Sequence, residues 1–213
     1  MPRRYNQFCA LARSLDVVGE RWTLLIVREL LLGPRRFTDL LAALPGIGRN
    51  LIAARLRELE EAGVIAREER SYALTERGRG LEEAVLALTR WELDAMRPPE
   101  PGDERQPGWY ALAMWAAYRA SAAGAHEETY EFRVGEGVFH LWTARREGGA
   151  RRGPASDPDA VLEADLDSFL AVATGMQTLE EALEAGRVRM SGSRAALRRG
   201  LRAFGLPAPV SPA

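Results

Sequence analysis

The sequence predicts an α+β chain in two parts, a mostly helical N-terminal domain and a C-terminal domain in which helices flank an antiparallel sheet. Three observations carry this. Phe37 to Ile65 reads as a short helix, a Pro-Gly turn and a second helix, closed by Gly63 and an apolar pair that starts a strand. Arg97 to Gly108 holds four prolines and two glycines among mixed charges, so it continues no helix and buries no face. Beyond it, strand-like runs alternate with helical ones. The expected domains are therefore residues 1–97 and 109–207, joined by a linker at 98–108.

The elements follow in order. Helices are expected near Phe8–Val18 and Glu20–Leu32, the second ended by Gly33-Pro34 because proline disfavours helical geometry in the residue before it. Phe37–Leu44 makes a third, ended by Pro45-Gly46. Arg49–Ala62 makes a fourth, with Ile52, Leu56 and Leu59 on one apolar face. Val64–Glu68 and Ser71–Leu74 form strands around a tight turn at Glu69-Arg70. Thr75 reads as an N-cap, with Glu76 in the first turn. A long helix to about Met96 should carry Leu81, Val85, Leu88 and Trp91 as a stripe. A second subunit is the economical cover for that stripe, and packing on the chain's own first helix is the alternative. In the second part, helices are expected at Trp109–Ala122, Leu166–Ala173, Leu179–Ala185 and Arg194–Ala203. Strands are expected at Glu128–Val134, Val138–Ala144, Val161–Glu163 and Arg187–Met190. Arg145 to Gly153 reads as an Arg/Gly-rich turn, and the tail after Leu206 should fray.

Composition narrows the function. The chain has 213 residues, 46% of them hydrophobic, and no apolar run near the ~20 needed to span a bilayer. MPRRYNQFCA lacks the apolar core of a signal peptide, which places the protein in the cytoplasm. One cysteine excludes an internal disulfide and a cysteine-cluster metal site. With two histidines and no clustered carboxylates, the sequence implies no enzyme, cofactor or metal. Lysine is absent, so arginine abundance by itself signals nothing. Its distribution does. Residues 1–97 carry a net charge of +2 and residues 98–213 a net of −3. Between Arg35 and Arg57 five arginines face one acid, Asp39, a footprint suited to a phosphate backbone.

Helix, helix, helix-turn-helix, two-stranded wing and helix is the order of a winged helix-turn-helix domain, which sets one helix in a DNA major groove. The fourth helix leaves Arg49, Asn50, Ala53 and Arg57 on faces outside its core stripe. Arginine pairs bidentately with guanine and asparagine with adenine. Asn50 acting only as a cap, and Arg49 touching only phosphate, are the bland alternatives. Arg57 reaches DNA or pairs with Glu61. Arg35 and Arg36 fit phosphate anchors, and Arg67 and Arg70 are the basic residues of the wing.

The words of the sequence go further. Cys9, Gly19-Glu20-Arg21-Trp22, Gly33-Pro34-Arg35-Arg36-Phe37, Arg55-Leu56-Arg57-Glu58-Leu59 and Leu74-Thr75-Glu76-Arg77-Gly78 closely resemble, in order, the signature of the HxlR family of bacterial transcription regulators. That resemblance covers about residues 8–97 and implies a homodimer on an inverted-repeat operator in double-stranded DNA. Phe8, Leu81, Val85, Leu88 and Trp91 are the expected dimer interface. It also makes Cys9 a redox candidate; a small buried hydrophobe is the other reading. Ala160 to Phe204, above all Asp165–Leu170 and Gly186–Gly192, resembles the sterol-carrier-protein type two fold. The second resemblance implies an apolar pocket lined by Trp109, Trp115, Tyr118, Phe132, Phe139, Trp142, Phe169 and Met176, though aromatics at these spacings also serve as core. The expectation is a one-component regulator modulated by a small apolar ligand. A thiol sensor using Cys9 and a lipid or polyketide carrier are its rivals.

Overall fold

The computed structural model describes residues 4–205 apart from 94, 98 and 101; the tail from Leu206 lies outside the described residues. The chain divides into two compact units, Met1–Val85 and Leu86–Ala213. The second unit thus begins inside a helix, upstream of the proline-rich stretch.

The first unit runs α1 (Ala10–Val18), α2 (Thr23–Leu31), β1 (Arg35–Arg36), α3 (Phe37–Ala43), α4 (Arg49–Glu61), β2 (Ile65–Glu68), β3 (Ser71–Leu74) and α5 (Glu76–Arg79). Ile26, Val27 and Leu30 of α2, Leu40 of α3 and Ile52, Leu56 and Leu59 of α4 are buried, as their three- and four-residue spacings predict. The end of α4 is set by Gly63 in the left-handed region, φ 67°. The Val64 N–H reaches back to the Leu59 carbonyl and the Gly63 N–H to that of Glu60. This paired closure turns the chain straight into the sheet. Thr75 then ties the sheet's exit to that turn: its hydroxyl donates to the Gly63 carbonyl (2.6 Å) and accepts from the Gly78 N–H (3.1 Å). A Cβ on Gly78 would stand 2.0 Å from the Val64 carbonyl oxygen, so only glycine lets α5 approach this closely.

Two expectations change here. The short run Arg35–Arg36 is itself a strand: it pairs antiparallel with β3, giving a three-stranded sheet of order β1-β3-β2. The long helix expected from Thr75 to Met96 is broken. α5 ends at Arg79, capped by Gly80, and α6 starts afresh at Glu82, running to Leu93. Gly78 and Gly80 within one turn weaken helix propagation enough to allow that break.

Beneath β1 lies a buried carboxylate. Glu29 of α2 is 1% exposed, with Arg35 Nη2 at 3.1 Å and Arg28 Nη2 at 3.0 Å. Burial pulls the Arg28 guanidinium below its ordinary value while Glu29 pulls it back, and arginine stays charged at physiological pH. Arg35 also donates to the Asp39 carbonyl (2.9 Å), so one side chain joins α2, β1 and α3.

The second unit continues with α7 (Pro107–Ala116), α8 (Ala120–Ala123), β4 (Glu128–Val134), β5 (Gly137–Ala144), β6 (Glu147–Arg152), β7 (Ala160–Ala164), α9 (Leu166–Ala173), α10 (Leu179–Glu184), β8 (Val188–Gly192) and α11 (Arg194–Ala203). Its sheet has the order β6-β5-β4-β7-β8. It is mixed rather than antiparallel, because β7 runs parallel to β4. After two hairpins the chain crosses back through residues 153–159 and enters beside β4 in the same direction. The expected helix Trp109–Ala122 is two, α7 and α8, with Ala117 closing the first.

The stretch expected as a turn from Arg145 to Gly153 contains strand β6. Only Arg145 and Arg146 turn, both at positive φ (50° and 72°), as a two-residue hairpin with a right-handed twist requires. Strand β6 opens with Glu147 and two glycines, a poor strand signal. Its missing side chains are replaced from outside. A Cβ on Gly148 would meet the Tyr118 ring at 2.6 Å, and one on Gly149 the Trp142 ring at 2.6 Å.

Tyr130, Phe132, Phe139 and Leu141 share the helix-covered face of this sheet, where Phe169 of α9 and Phe204 reach them. The ion pair of Glu128 with Arg199 links β4 to α11 and holds the Glu128 carboxyl below its usual range, chiefly through the guanidinium hydrogen bond.

Glu29→Gln removes the buried charge from between two guanidinium groups. The first unit should lose about 3–5 kcal/mol of unfolding free energy. Urea denaturation, with hydrogen exchange localising the loss to α2, β1 and α3, checks this; an unchanged midpoint would show that the pair is not structurally required.

Candidate nucleic-acid interface

Helices α3 and α4 are joined by Leu44 to Gly48. Leu44 and Ile47 are buried and Gly46 stands at φ 88°. The N-cap of α4 is Gly48, whose carbonyl accepts from the Leu51 and Ile52 N–H groups. Asn50 is therefore not the cap. It lies exposed in the first turn beside exposed Arg49, with neither burial nor a capping role to hold it. Half-buried Ala53 and exposed Arg57 follow one and two turns later.

Arg36 is exposed, and its backbone N–H donates to the Asp39 carboxylate (3.3 Å), leaving the guanidinium outside that contact. Arg35 departs from the expected pairing of two phosphate anchors. Successive residues of a strand face opposite sides. The side chain of Arg35 accordingly turns inward to Glu29 and is committed there. At the wing, Glu69 takes the left-handed turn position (φ 52°) and Arg70 is exposed beside it. Arg67 is exposed too, but exposed Glu68 and Glu69 cancel its charge and that of Arg70, so the wing tip carries no net positive patch.

Sequence reasoning missed the brace behind α4. Arg55 donates to Glu20 (2.9 Å) and pairs with Glu58 one turn on. Trp22, the N-cap of α2, holds a left-handed backbone at φ 79°, an uncommon conformation for so large a residue. Its ring lies beside Gly46, where an added Cβ would stand 3.6 Å away, and the Arg21 guanidinium lies over the Trp22 ring, 5.1 Å from its centroid. The Gly-Glu-Arg-Trp step thus props both the turn and the second helix. Its occurrence as one word in the sequence was the available signal.

Among the expected interface residues, Phe8 is fully exposed, Leu88 is exposed and Trp91 is 76% exposed. Val85 departs from the stripe: it is buried within its own chain, and Leu81 is half-buried. Cys9, the N-cap of α1, is a free, exposed thiol, which overturns its reading as a buried hydrophobe. The expected pocket lining is scattered. Phe132 and Phe139 stack at 5.1 Å and Phe169 meets both edge-on at 6.2 Å, so these three pack on one another as core. Trp142 lies on the opposite sheet face, and Met176 is 77% exposed. Trp109, Trp115 and Tyr118 are half-buried.

A buried turn, a braced second helix and a short three-stranded sheet define a helix-turn-helix domain of the DNA-binding type. Residues 17–100 match the family described as HxlR-like helix-turn-helix. The chain belongs to that family. It is 43% identical over 98 residues to the uncharacterized HTH-type transcriptional regulator Rv3095 of Mycobacterium tuberculosis, a match covering 43% of this chain and 61% of that protein. It is 32% identical to the regulator YvaP of Bacillus subtilis, covering 40% of this chain and 86% of YvaP. To the HTH-type transcriptional regulator YodB of Bacillus subtilis it is 32% identical, covering 46% and 92%. Among solved structures, the redox regulator HypR in its oxidized form aligns at 32% identity and TM-score 0.40, over 43% of this chain and 100% of that one. These relatives are named as regulators, not enzymes. No helix among the described residues is long and apolar enough to cross a membrane.

Proposed function

We propose that this protein is a transcription regulator that binds operator DNA as a homodimer through α4, with its second unit as the input. One observation carries the reading. Arg49, Asn50 and Arg57 are exposed on a helix anchored by fully buried Ile52, Leu56 and Leu59, braced through Arg55 by Glu20, with the Trp22 ring against the turn before it. Such a helix presents edge-reading donors from a fixed platform. Arg49 and Asn50 read bases, Ala53 and Arg57 flank them, and Arg36 and Arg70 contact phosphate. Arg35 supports the site from beneath.

The partner is a second copy of the chain, supported by the exposed apolar side chains of Phe8, Leu11, Leu88 and Trp91. The second unit, which we assign a sterol-carrier-like role, takes a small apolar effector against half-buried Trp109, Trp115 and Tyr118. An effector regulates only by binding the DNA-competent and incompetent dimers differently.

Arg49→Ala should relax specificity at one base position per half-site, at a cost of roughly 1–3 kcal/mol of discrimination. Arg36→Ala should weaken binding to all duplexes alike and reduce the salt slope by about one. Footprints should show an inverted repeat with half-site centres ~34–36 Å apart or a multiple of that. An unrepeated footprint, or unchanged base preference in Arg49→Ala, would sink the assignment.

Trp91→Glu places a charge in the proposed dimer seam. Light scattering should find a monomer with much weaker operator affinity; an intact dimer would move the interface elsewhere.

Native mass spectrometry of the purified full chain should find an apolar ligand whose removal shifts operator affinity and whose binding Trp115→Ala weakens. A bound lipid with no effect on DNA would indicate a carrier. A response abolished by Cys9→Ser and indifferent to Trp115→Ala would make the thiol the sensor.

A further inference from the structure

Arg49 is exposed at the first position of α4, yet its guanidinium is not loose. It lies over the ring of Phe37, 5.4 Å from the centroid. Phe37 opens α3, so the contact joins the starts of the two helices of the helix-turn-helix. Phe37 is half-buried, whereas Leu40, Ala43 and Leu44 are the residues that anchor α3 in the core. Among the described residues no carboxylate pairs with Arg49, so the ring is the contact that orients it.

The geometry of a guanidinium makes this contact compatible with reading a base. Stacking on a ring uses the flat face, while the N–H donors lie in the plane and point outward from its edge. Bidentate pairing with guanine O6 and N7 uses that edge. A side chain already resting on a ring also has fewer rotamers to surrender when DNA arrives. Lysine, with no flat face, could not use the ring this way.

We propose that Phe37 is a specificity-determining residue that acts through Arg49: its ring sets where the Arg49 donors stand and so fixes one guanine preference per half-site. The proposal rests on the DNA-binding reading above and deepens it. Phe37 acts through Arg49, so it is a positioning residue.

Selection of random duplexes by the full chain, with sequencing of the bound pool, tests it for the wild type, Arg49→Ala, Phe37→Leu, Phe37→Tyr and Phe37→Leu/Arg49→Ala. Phe37→Leu should flatten preference at the same base position as Arg49→Ala, by about two- to fivefold, the range of an exposed cation–π pair. Its affinity for non-operator DNA and its salt slope should match the wild type. Phe37→Tyr should retain the wild-type preference, and the double variant should read no worse than Arg49→Ala alone. Three results would overturn the proposal: an intact base preference in Phe37→Leu, full additivity in the double variant, or equal loss on all duplexes in both Phe37 variants. Failure of the wild type to select any duplex would instead overturn the DNA-binding reading.

Discussion

The first unit hangs on a carboxylate that water does not reach. Glu29 sits between Arg28 and Arg35, and through Arg35 it ties α2 to β1 and to the backbone of α3. An apolar residue in its place would pack, but it would leave Arg35 with no reason to turn inward. Direction is what the buried charge supplies. Two adjacent arginines in a two-residue strand must face opposite ways, and Glu29 decides which one goes in. Arg36 is outward because Arg35 is not, so the exposed cation at the start of α3 is set from the centre of the unit.

The same logic runs through the braces of α4. The Gly63 closure and the Thr75 hydroxyl fix where the helix ends, and Gly78 allows the packed contact that holds this corner shut. Glu20 holds its other side through Arg55, and the Trp22 ring supports the turn that leads into it. None of these residues is placed to touch a ligand of α4. They determine the orientation of Arg49, Asn50 and Arg57, and the strained backbone of Trp22 is tolerated because its ring fills the place beside Gly46.

Much of this was legible in the sequence. The helix-turn-helix could be read from apolar spacing and the Pro-Gly turn, and α9 and α11 have the expected bounds, Leu166–Ala173 and Arg194–Ala203. Local chemistry sufficed because caps and periodicity act over a few residues. What escaped depended on residues distant in the chain. By sequence Arg35 fits a phosphate anchor, but Glu29, on a different element, turns it inward. Gly78 and Gly80 permit the break after α5, but the close approach of Gly78 to the Val64 carbonyl, which only glycine allows, lies outside any local pattern. The parallel pairing of β7 with β4 follows from a crossover that no local pattern encodes. For the aromatics, composition named the residues but not their faces. Alternation puts Trp142 across the sheet from Phe139, and Phe132, Phe139 and Phe169 pack on one another as core.

Strand β6 carries a pair of glycines roofed on one face by Tyr118 and on the other by Trp142. Each ring occupies the volume of the side chain its glycine lacks, so the two positions of a pair share one fixed allotment of space. Over the divergence of a lineage neither member can change alone. Gly148 should covary with position 118 and Gly149 with position 142, larger strand residues arriving only as the rings shrink. An aligned set of descendants would therefore carry a record of this sheet's edge in two pairs of columns.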